Sequence, residues 1–576
     1  MNILGICNDE TASACLMLDG TIVAAVSEER FSRLKMDSSF PVQSIHYCLD
    51  TQGFSLNDID IIAYAWSKGF QQDLLPLYVD KAALFSNDKQ SLSILGARVQ
   101  LEIDRDKKKR DEFDQWVDSN VDLSRTIIKD FYHHEAHAAS AAYYSPFDNG
   151  LVYTSDGRGD FEACTIWRFD RQSSKQLTKL YSALSLDSFG FYYGRITGLL
   201  GFQPMRHEGK ITGLAAYGDR NAAIDLCKQM IRVSDGRVES HIGDYYAPFF
   251  QPYSDLLIKA IAQYTKEDVA ASAQYYLECM MTDLLEFYLQ KQPENRLNIM
   301  AAGGVFGNVK VTHKLKQLDK VASVYVQPQM GDGGLCLGAC ALANEQALSS
   351  KAHAKRHTSE LTSMYLGPYA SDTYSNNSQT RFATISQKQF DRNTGPKELA
   401  QSLNKDRVIG LIQGRMEFGP RALCNRSIIY RTSDVTINDW LNKRLNRNEF
   451  MPFAPVLKEE KAMDIISGYD PNDITLHFMT STVDCTETFA QEHPAVVHID
   501  GTARPQIITK TSNPFMWDVL GEWEKVSGEI ALVNTSFNTH EEPIIRDLYD
   551  GLNALDNKVI DELWFVTNES VTLYTH

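Results

Sequence analysis

The chain has 576 residues, 43% of them hydrophobic and 23% charged, which is typical of a globular protein of roughly two to four domains. A net charge of −17 disfavours a broad surface for nucleic acid or for anionic membranes, so neither is expected as a partner. The start "MNILGICNDE" lacks the basic segment of a signal peptide, and no apolar run is long enough to span a bilayer. We therefore expect a cytoplasmic protein whose ten scattered cysteines are buried free thiols.

The first thirty residues predict three short strands, "NILGIC", "SACLMLDG" and "TIVAAVSEE", with a hairpin turn at Asp19-Gly20. A similar pattern returns at "GLVYTSDGRGD", "FEACTIWRFD" and "KQLTKLYSAL". Each copy places an acidic residue at the end of its first apolar strand, Asp9 in one and Asp156 in the other. This weak duplication resembles the paired ribonuclease-H-like halves of the superfold shared by actin, sugar kinases and chaperone ATPases.

Between the two copies, the run "DRDKKKRDEF" at 104–113 mixes both signs of charge, and we expect a solvated helix or loop there.

The stretch "YHHEAHAAS", from Tyr132 to Ser140, lies in an alanine-rich segment that predicts a helix. His133 and His137 are four residues apart and so share one helical face, whereas His134 is rotated off it. The spacing matches neither His-Glu-x-x-His nor its inverted form, so a zinc-protease site is excluded. The pair can be ordinary helix residues, or it can hold a metal with carboxylates from elsewhere in the chain.

Two glycine-rich turns, "NIMAAGGVFGN" at 298–308 and "QMGDGGLCLGACALA" at 329–343, each join an apolar strand to a helix-like run. Glycines there allow backbone amides to approach a phosphate, although a plain turn explains either motif equally well.

The polar segment from Ser349 to Asp391 predicts a connection between domains. After it, "VIGLIQGRMEFGPRALCNRSI" predicts a strand followed by a loop rich in arginine. Arg415, Arg421, Arg426 and Arg431 fall within seventeen residues, which favours an anion site over surface salt bridges.

Taken together, these motifs resemble the ATP-dependent O-carbamoyltransferases of the NodU/CmcH type, in family order over nearly the whole chain. The segments that carry the resemblance are "AVSEERFSRLK", "HHEAHAAS", "SDGRGD", "RHEGKITGLAAYG", "AAGGVFGN", "GDGGLCLGA", "GRMEFGPRALCNRSI", "PFAP", "TARPQ" and "NTSFNTHEEPI".

The resemblance implies an α/β protein of two fused parts. Residues 1–355 would form the duplicated ribonuclease-H-like domain that binds metal and nucleotide, 356–390 the connection, and 391–576 a YrdC-like domain that makes carbamoyl adenylate. The metal, Fe²⁺ or a similar divalent ion, would be held by His133, His137, Asp156 and Asp332, a donor set that also suits iron chemically. The sequence leaves the oligomeric state open, with a homodimer allowed.

The resemblance also implies nucleotide-binding and carbamoyl-phosphate-binding residues. In the first domain the adenylate would contact Lys35, Glu208, Lys210, Gly213, Gly303, Gly304 and Asn308. In the second domain ATP and carbamoyl phosphate would contact Arg421, Arg504 and Asn534, with Gln506 and Asn538 as neighbours.

The expected reaction uses ATP, Mg²⁺ and carbamoyl phosphate to make carbamoyl adenylate, with Arg421 and Arg504 as catalytic groups. The carbamoyl group would then pass to a hydroxyl of a small molecule, a sugar or natural product, with His134 as candidate base. A sugar-kinase-type phosphotransferase, a tRNA threonylcarbamoylation-type enzyme and a nucleotide-binding scaffold are the alternatives.

The chain departs from the family pattern at three places. Glu10-Thr11 replaces a common His-Asp, Met451 replaces an arginine before "PFAP", and Leu34-Lys35-Met36 replaces Lys-Lys-His. These differences leave the identity of the acceptor open.

Overall fold

The computed structural model describes residues 1–66, 71–84, 88–247, 253–349, 358–371, 381–447 and 450–576. The chain forms two compact units: unit 1 comprises Met1–Ala24 and Ser38–Leu361, and unit 2 comprises Ala25–Asp37 and Thr362–His576. The segment Ala25–Asp37 contains helix α1 (Glu29–Ser32). It falls inside the expected first domain by sequence but groups with unit 2.

The first sheet has the strand order β3-β2-β1-β4-β5. Its strands are β1 (Asn2–Cys7), β2 (Ser13–Leu18), β3 (Thr21–Ser27), β4 (Ile61–Ala65) and β5 (Ile127–Phe131). Strand β1 pairs antiparallel with β2 and parallel with β4, which pairs parallel with β5. Strands β1 and β4 are almost continuously apolar because both faces of the sheet are buried.

The second sheet of unit 1 repeats this arrangement, with the order β8-β7-β6-β11-β12. Its strands are β6 (Asn149–Gly159), β7 (Glu162–Asp170), β8 (Leu177–Leu184), β11 (Leu297–Ala302) and β12 (Val321–Val326), and a separate hairpin is formed by β9 (Ile231–Ser234) and β10 (Arg237–Ser240). An antiparallel pair followed by parallel strands in the same order confirms the predicted duplication of ribonuclease-H-like halves.

The helices of unit 1 are α2 (Val42–Asp50), α3 (Leu75–Leu84), α4 (Lys89–Asn120), α5 (His133–Ala142), α6 (Phe189–Leu199), α7 (Glu208–Leu214), α8 (Ile224–Lys228), α9 (Asp255–Ile261), α10 (Lys266–Gln290), α11 (Val309–Lys316) and α12 (Leu335–Ser349). Helix α5 follows the last strand of the first sheet, and α12 follows the last strand of the second. The two pack directly on each other. A Cβ on Gly338 of α12 would lie 1.8 Å from the carbonyl oxygen of Ala136 in α5, so glycine permits this close approach.

Unit 2 is built on one eight-stranded mixed sheet with the order β13-β22-β21-β14-β15-β20-β16-β19. Its strands are β13 (Ser386–Asp391), β14 (Ile409–Gln413), β15 (Arg426–Arg431), β16 (Ala454–Lys458), β19 (Gln506–Ile508), β20 (Ala531–Ser536), β21 (Glu562–Val566) and β22 (Ser570–Thr575), and β17 (Val483–Asp484) pairs with β18 (Thr502–Ala503) beside it.

Helices cover both faces of this sheet, and the α/β class expected for the YrdC-like domain is confirmed. They are α13 (Gly395–Leu403), α14 (Ile437–Arg444), α15 (Ala462–Ile465), α16 (Glu487–Glu492), α17 (Pro514–Ser527) and α18 (Leu548–Asp556). Adjacent residues of β14 point into different cores: Leu411 packs with the residues of α13 and α17, and Ile412 with those of α14 and α18.

Two local predictions change. The charged run at 104–113 is helical, but the expectation of a solvated face was wrong in part because Asp106 and Lys109 are buried. In the predicted connection, residues 386–390 belong to strand β13, while 356–357 and 372–380 lie outside the described residues. Throughout the described part of the chain, no helix combines the length and apolarity needed to cross a bilayer.

The substitution Gly338→Ala should destabilise the protein by about 1–3 kcal/mol because the added methyl group separates α12 from α5. The matched change Gly96→Ala in α4, where the methyl group meets nothing within 4 Å, should instead stabilise it by about 0.5–1 kcal/mol. Urea unfolding curves of both variants measure the difference. Equal stability of the two variants would contradict the close helix contact.

Candidate functional site

The four predicted metal ligands come together in unit 1. His133 and His137 lie on the first turns of α5, Asp156 lies in β6, and Asp332 opens the turn before α12. One donor atom from each lies within 4.8 Å of all the others. The Nε2 atom of His137 is 3.1 Å from an oxygen of Asp156 and 3.6 Å from one of Asp332, and the Nε2 atom of His133 is 3.7 and 3.8 Å from the same oxygens.

These distances fit a shared divalent cation. Two donors each about 2.1 Å from one ion lie roughly 3–4 Å apart. The contact of His137 with Asp156 at 3.1 Å is also a hydrogen bond, whereas the other three, at 3.6–3.8 Å, are too long for one. The His133 ring is completely buried, and neither of its nitrogens has a hydrogen-bond partner among the described residues. Buried polar atoms are normally satisfied, so a cation at this point explains the arrangement. Two imidazoles and two carboxylates form a donor set suited to iron or a similar metal.

Burial and mutual charge set the protonation of the ion-free centre. Burial lowers the pKa of His133 to about 4. Burial also acts to lower the pKa of His137, but the carboxylates of Asp156 and Asp332 outweigh it and raise this pKa to about 9. The two imidazoles likewise outweigh burial at Asp156 and hold its pKa well below the usual range. Burial, followed by the charge of Asp156, raises the pKa of Asp332 well above its usual range.

The segment "DGRGD" at 156–160, which ends β6 and begins the turn to β7 and is called the hairpin tip below, shapes this centre. The amide of Gly157 donates to the Asp156 carboxylate at 2.6 Å. A Cβ on Gly159 would lie 2.0 Å from the His133 ring, so only glycine leaves room for it. The Asp160 carboxylate accepts the backbone N–H of His133 at 2.9 Å and thereby satisfies a free amide at the start of α5. The position of Asp160 in the motif "SDGRGD" was the available signal for this role, which the sequence pattern alone did not reveal.

His134 lies beside the ligand pair, as predicted, but is completely buried. Its Nδ1 atom is 2.7 Å from the hydroxyl of Thr154, which is itself 2.5 Å from that of Thr165. Burial lowers the pKa of His134 well below the usual range, so its ring is neutral. The role of a general base for His134 stays a prediction.

Most of the predicted nucleotide-binding residues of the first domain lie close together. Asn308 caps α11 and donates to the hydroxyl of Thr212, which stands in α7 between Lys210 and Gly213. Gly303 has φ +103°, and a Cβ on Gly304 would lie 3.1 Å from the Asp156 carboxylate, so this turn reaches the metal centre.

Glu208 and Lys35 differ from the other members of the predicted nucleotide set. Glu208 begins α7, where burial raises the pKa of its carboxyl to about 6. Lys35 lies in the segment that groups with unit 2 and not with the other members of the set.

In unit 2, Arg421 stands in the loop between β14 and β15, where burial lowers its pKa to about 10. The Glu417 carboxylate accepts the backbone N–H groups of Leu423, Asn425 and Arg426 at 2.7, 2.8 and 3.2 Å and so fixes this loop. Sequence reasoning missed Glu417, because its part depends on how the loop folds back.

The amide of Asn534 connects the predicted residues around this loop. Its Nδ2 atom donates to the carbonyl of Ala422, next to Arg421, at 3.0 Å and to Oε1 of Gln506 at 2.7 Å. Arg504 precedes Gln506 by two residues, between β18 and β19. Asn538 makes contacts within its own loop. Its side chain donates to the carbonyls of Thr539 and Glu542 and accepts from Arg447, and these bonds order the loop.

The other three arginines of the predicted anion cluster have structural partners. Arg415 donates to the carbonyls of Leu366 and Gly367, and Arg431 pairs with Asp406 at 2.7 Å. Arg426 is buried in β15 and donates to backbone carbonyls that include Gln413 and Arg546. The anion site in this loop stays a prediction, and within it Arg421 precedes Ala422, whose carbonyl accepts from Asn534.

Comparison with known proteins decides the family. Residues 2–341 match the protein family described as "Carbamoyltransferase N-terminus", and residues 400–571 match the one described as "Carbamoyltransferase C-terminus". The chain belongs to the carbamoyltransferase family. This match confirms the family resemblance carried by the motifs. The N-terminal match includes the four candidate metal ligands, and the C-terminal match includes the loop that carries Arg421.

Similar proteins are found in several bacteria. The nodulation protein NolNO of Sinorhizobium fredii is 32% identical over 96% of this carbamoyltransferase and 77% of that protein. The nodulation protein NolO of Bradyrhizobium diazoefficiens is 31% identical over 75% of this chain and 77% of that protein. Among solved structures, component A of the (R)-2-hydroxyglutaryl-CoA dehydratase of Acidaminococcus fermentans covers 60% of this chain and 99% of its own at 13% identity, with a TM-score of 0.33.

Binding of a divalent cation at pH 7 should release protons, because His137 must deprotonate to act as a ligand and the raised pKa of Asp332 acts in the same direction. Affinity should rise with pH up to about 9, the pKa of His137, and level off above it. Calorimetric titration with Co²⁺ in buffers of different ionisation enthalpy measures the release. The variant His137→Gln should release fewer protons, and a heat of binding that is independent of the buffer would contradict this protonation state.

Proposed function

We propose that this carbamoyltransferase makes carbamoyl adenylate from ATP and carbamoyl phosphate in unit 2 and transfers the carbamoyl group to a small-molecule hydroxyl in unit 1. The observation that carries the proposal is the buried centre of two histidines and two aspartates, which fits a divalent cation. The desolvated Arg421, in a loop fixed by Glu417, supports the assignment of the activation step to unit 2.

In the activation step, Arg421 and Arg504 bind the phosphate of carbamoyl phosphate, and attack by a water molecule releases inorganic phosphate and leaves carbamate. A carbamate oxygen then attacks the α-phosphorus of ATP, and pyrophosphate leaves. The fixed guanidinium groups, with Mg²⁺ on the phosphates, stabilise the negative charge that develops on the oxygens. Asn534 and Gln506, held together by their hydrogen bond, lie where they can orient the planar carbamoyl group.

In the transfer step, the oxygen of the acceptor hydroxyl attacks the carbamoyl carbon, AMP leaves, and a base takes the hydroxyl proton. His133, His137, Asp156 and Asp332 would hold Fe²⁺ or a similar ion, which supplies Lewis-acid polarisation when bound. The adenylate would lie along the turn at Gly303 and Gly304 and the start of α7, and the neutral ring of His134 is the candidate base.

Arg421→Ala should abolish the release of pyrophosphate from ATP in the presence of carbamoyl phosphate, because the anion loses its main counter-charge. The matched variant Arg431→Ala removes an ion pair at the protein surface and should leave the release unchanged. Mass spectrometry for carbamoyl adenylate and pyrophosphate checks both variants. The formation of ADP by the native protein would overturn the proposal in favour of a phosphotransferase.

The variant His137→Ala separates the two steps. It should still form carbamoyl adenylate but should yield no carbamoylated product from any hydroxyl compound that the native protein modifies. Equal loss of both steps in a folded His137→Ala protein would show that the activation does not belong to unit 2 alone.

A further inference from the structure

We propose that Trp66, Arg158 and Asp106 are positioning residues that fix the ring of His133 and thereby set the cation affinity of the metal centre. The inference rests on the proposed metal centre and extends it to helix α4, a charged segment that has no part in the scheme above.

Helix α4 turns a charged face towards the interior of unit 1. Arg98, Glu102 and Asp106 recur every four residues and are only 4%, 1% and 5% exposed. Arg98 and Glu102 form an ion pair of 2.6 Å. Ionised groups are costly to bury. Three of them on one face of a helix require partners on the elements against which that face packs.

The partner is Arg158, at the hairpin tip that shapes the metal centre. Its Nη1 atom lies 2.8 Å from a carboxylate oxygen of Asp106 and 3.9 Å from one of Glu102. The next two residues are Gly159, against the His133 ring, and Asp160, which accepts the His133 N–H. The charged face of α4 therefore anchors the same tip that holds His133.

The ring of Trp66 contacts both Arg158 and His133. The guanidinium carbon of Arg158 lies 5.4 Å from its ring centroid, a cation–π contact, and the His133 ring meets it edge-on with centroids 4.4 Å apart. Trp66 has φ +134°, which is unfavourable for a bulky residue, and its buried indole N–H has no partner in the described part of the chain. Such strain persists only where the surroundings determine the conformation.

This packing replaces the usual way of orienting a metal-binding histidine. The second ring nitrogen of such a histidine generally donates to a carboxylate or carbonyl, which fixes the ring. Among the described residues neither nitrogen of His133 has such a partner. Its orientation is therefore determined by Trp66 on one side and Gly159 on the other, and both depend on the Arg158–Asp106 pair.

The test is a titration of the full-length, ion-free protein with Co²⁺. The visible absorption of the bound Co²⁺ monitors binding and reports the geometry of its ligands. Asp106→Asn and Trp66→Phe should each weaken Co²⁺ binding by about 10- to 100-fold and change the absorption spectrum. The double variant should lose less than the product of the two effects, because both act through the same contact. The control Asp104→Asn makes the same change on the exposed face of α4 and should bind as the native protein does.

The outcomes distinguish this inference from the proposal on which it rests. If the native protein does not bind Co²⁺, or if His137→Ala binds it equally well, the proposed metal centre is wrong. The inference is then overturned with it. If the centre binds Co²⁺ but both variants keep its affinity and spectrum, only the positioning role is overturned. A lower melting temperature of the ion-free Asp106→Asn protein with unchanged affinity also overturns the positioning role alone, and Trp66→Phe supplies the test if Asp106→Asn does not fold.

Discussion

The constraint on which the centre of unit 1 depends is the meeting of two carboxylates, buried Asp156 and partly buried Asp332, with two buried imidazoles. Uncompensated negative charge is costly away from water, and Asp156 and Asp332 face the same point at the ends of different elements. The raised pKa values of His137 and Asp332 reduce that cost in the ion-free protein, and a divalent cation held by the four side chains would reduce it further. The glycines at 159, 303 and 338 allow strands, turns and helices to come close enough for this geometry.

The duplicated halves contribute unequally to the centre. The first half supplies both histidines through α5, and the second supplies both aspartates, through β6 and the turn before α12. The acid at the equivalent strand end of the first half, Asp9, is completely buried and pairs with Arg105 at 2.9 Å. The same position in the repeated topology thus has two different partners: the imidazoles of the candidate metal centre at Asp156, and Arg105 of helix α4 at Asp9.

Local patterns were enough to predict much of this architecture. Apolar runs such as "NILGIC" and "GLVYTSDGRGD" predicted the strands, and the spacing of His133 and His137 predicted a shared helical face. The burial of Asp106 could not be predicted, because its partner Arg158 lies 52 residues further along the chain. Arg426 and Arg421 belong to the same motif, yet only the folded loop shows that the first is structural. The domain bounds and site roles came from the family resemblance and not from local patterns.

The segment Ala25–Asp37 makes the covalent order of the chain differ from its spatial grouping. Arg30 donates to the carbonyl of Gly419 at 2.9 Å, in the loop that carries Arg421, and Arg33 donates to the carbonyls of Pro543 and Ile544. Cutting the chain at one point after residue 361 would therefore leave unit 2 without a buried part of its own interior. Unit 2 is therefore not a contiguous stretch of the chain, and a fragment that begins after residue 361 should fold less stably than one that is supplied with Ala25–Asp37.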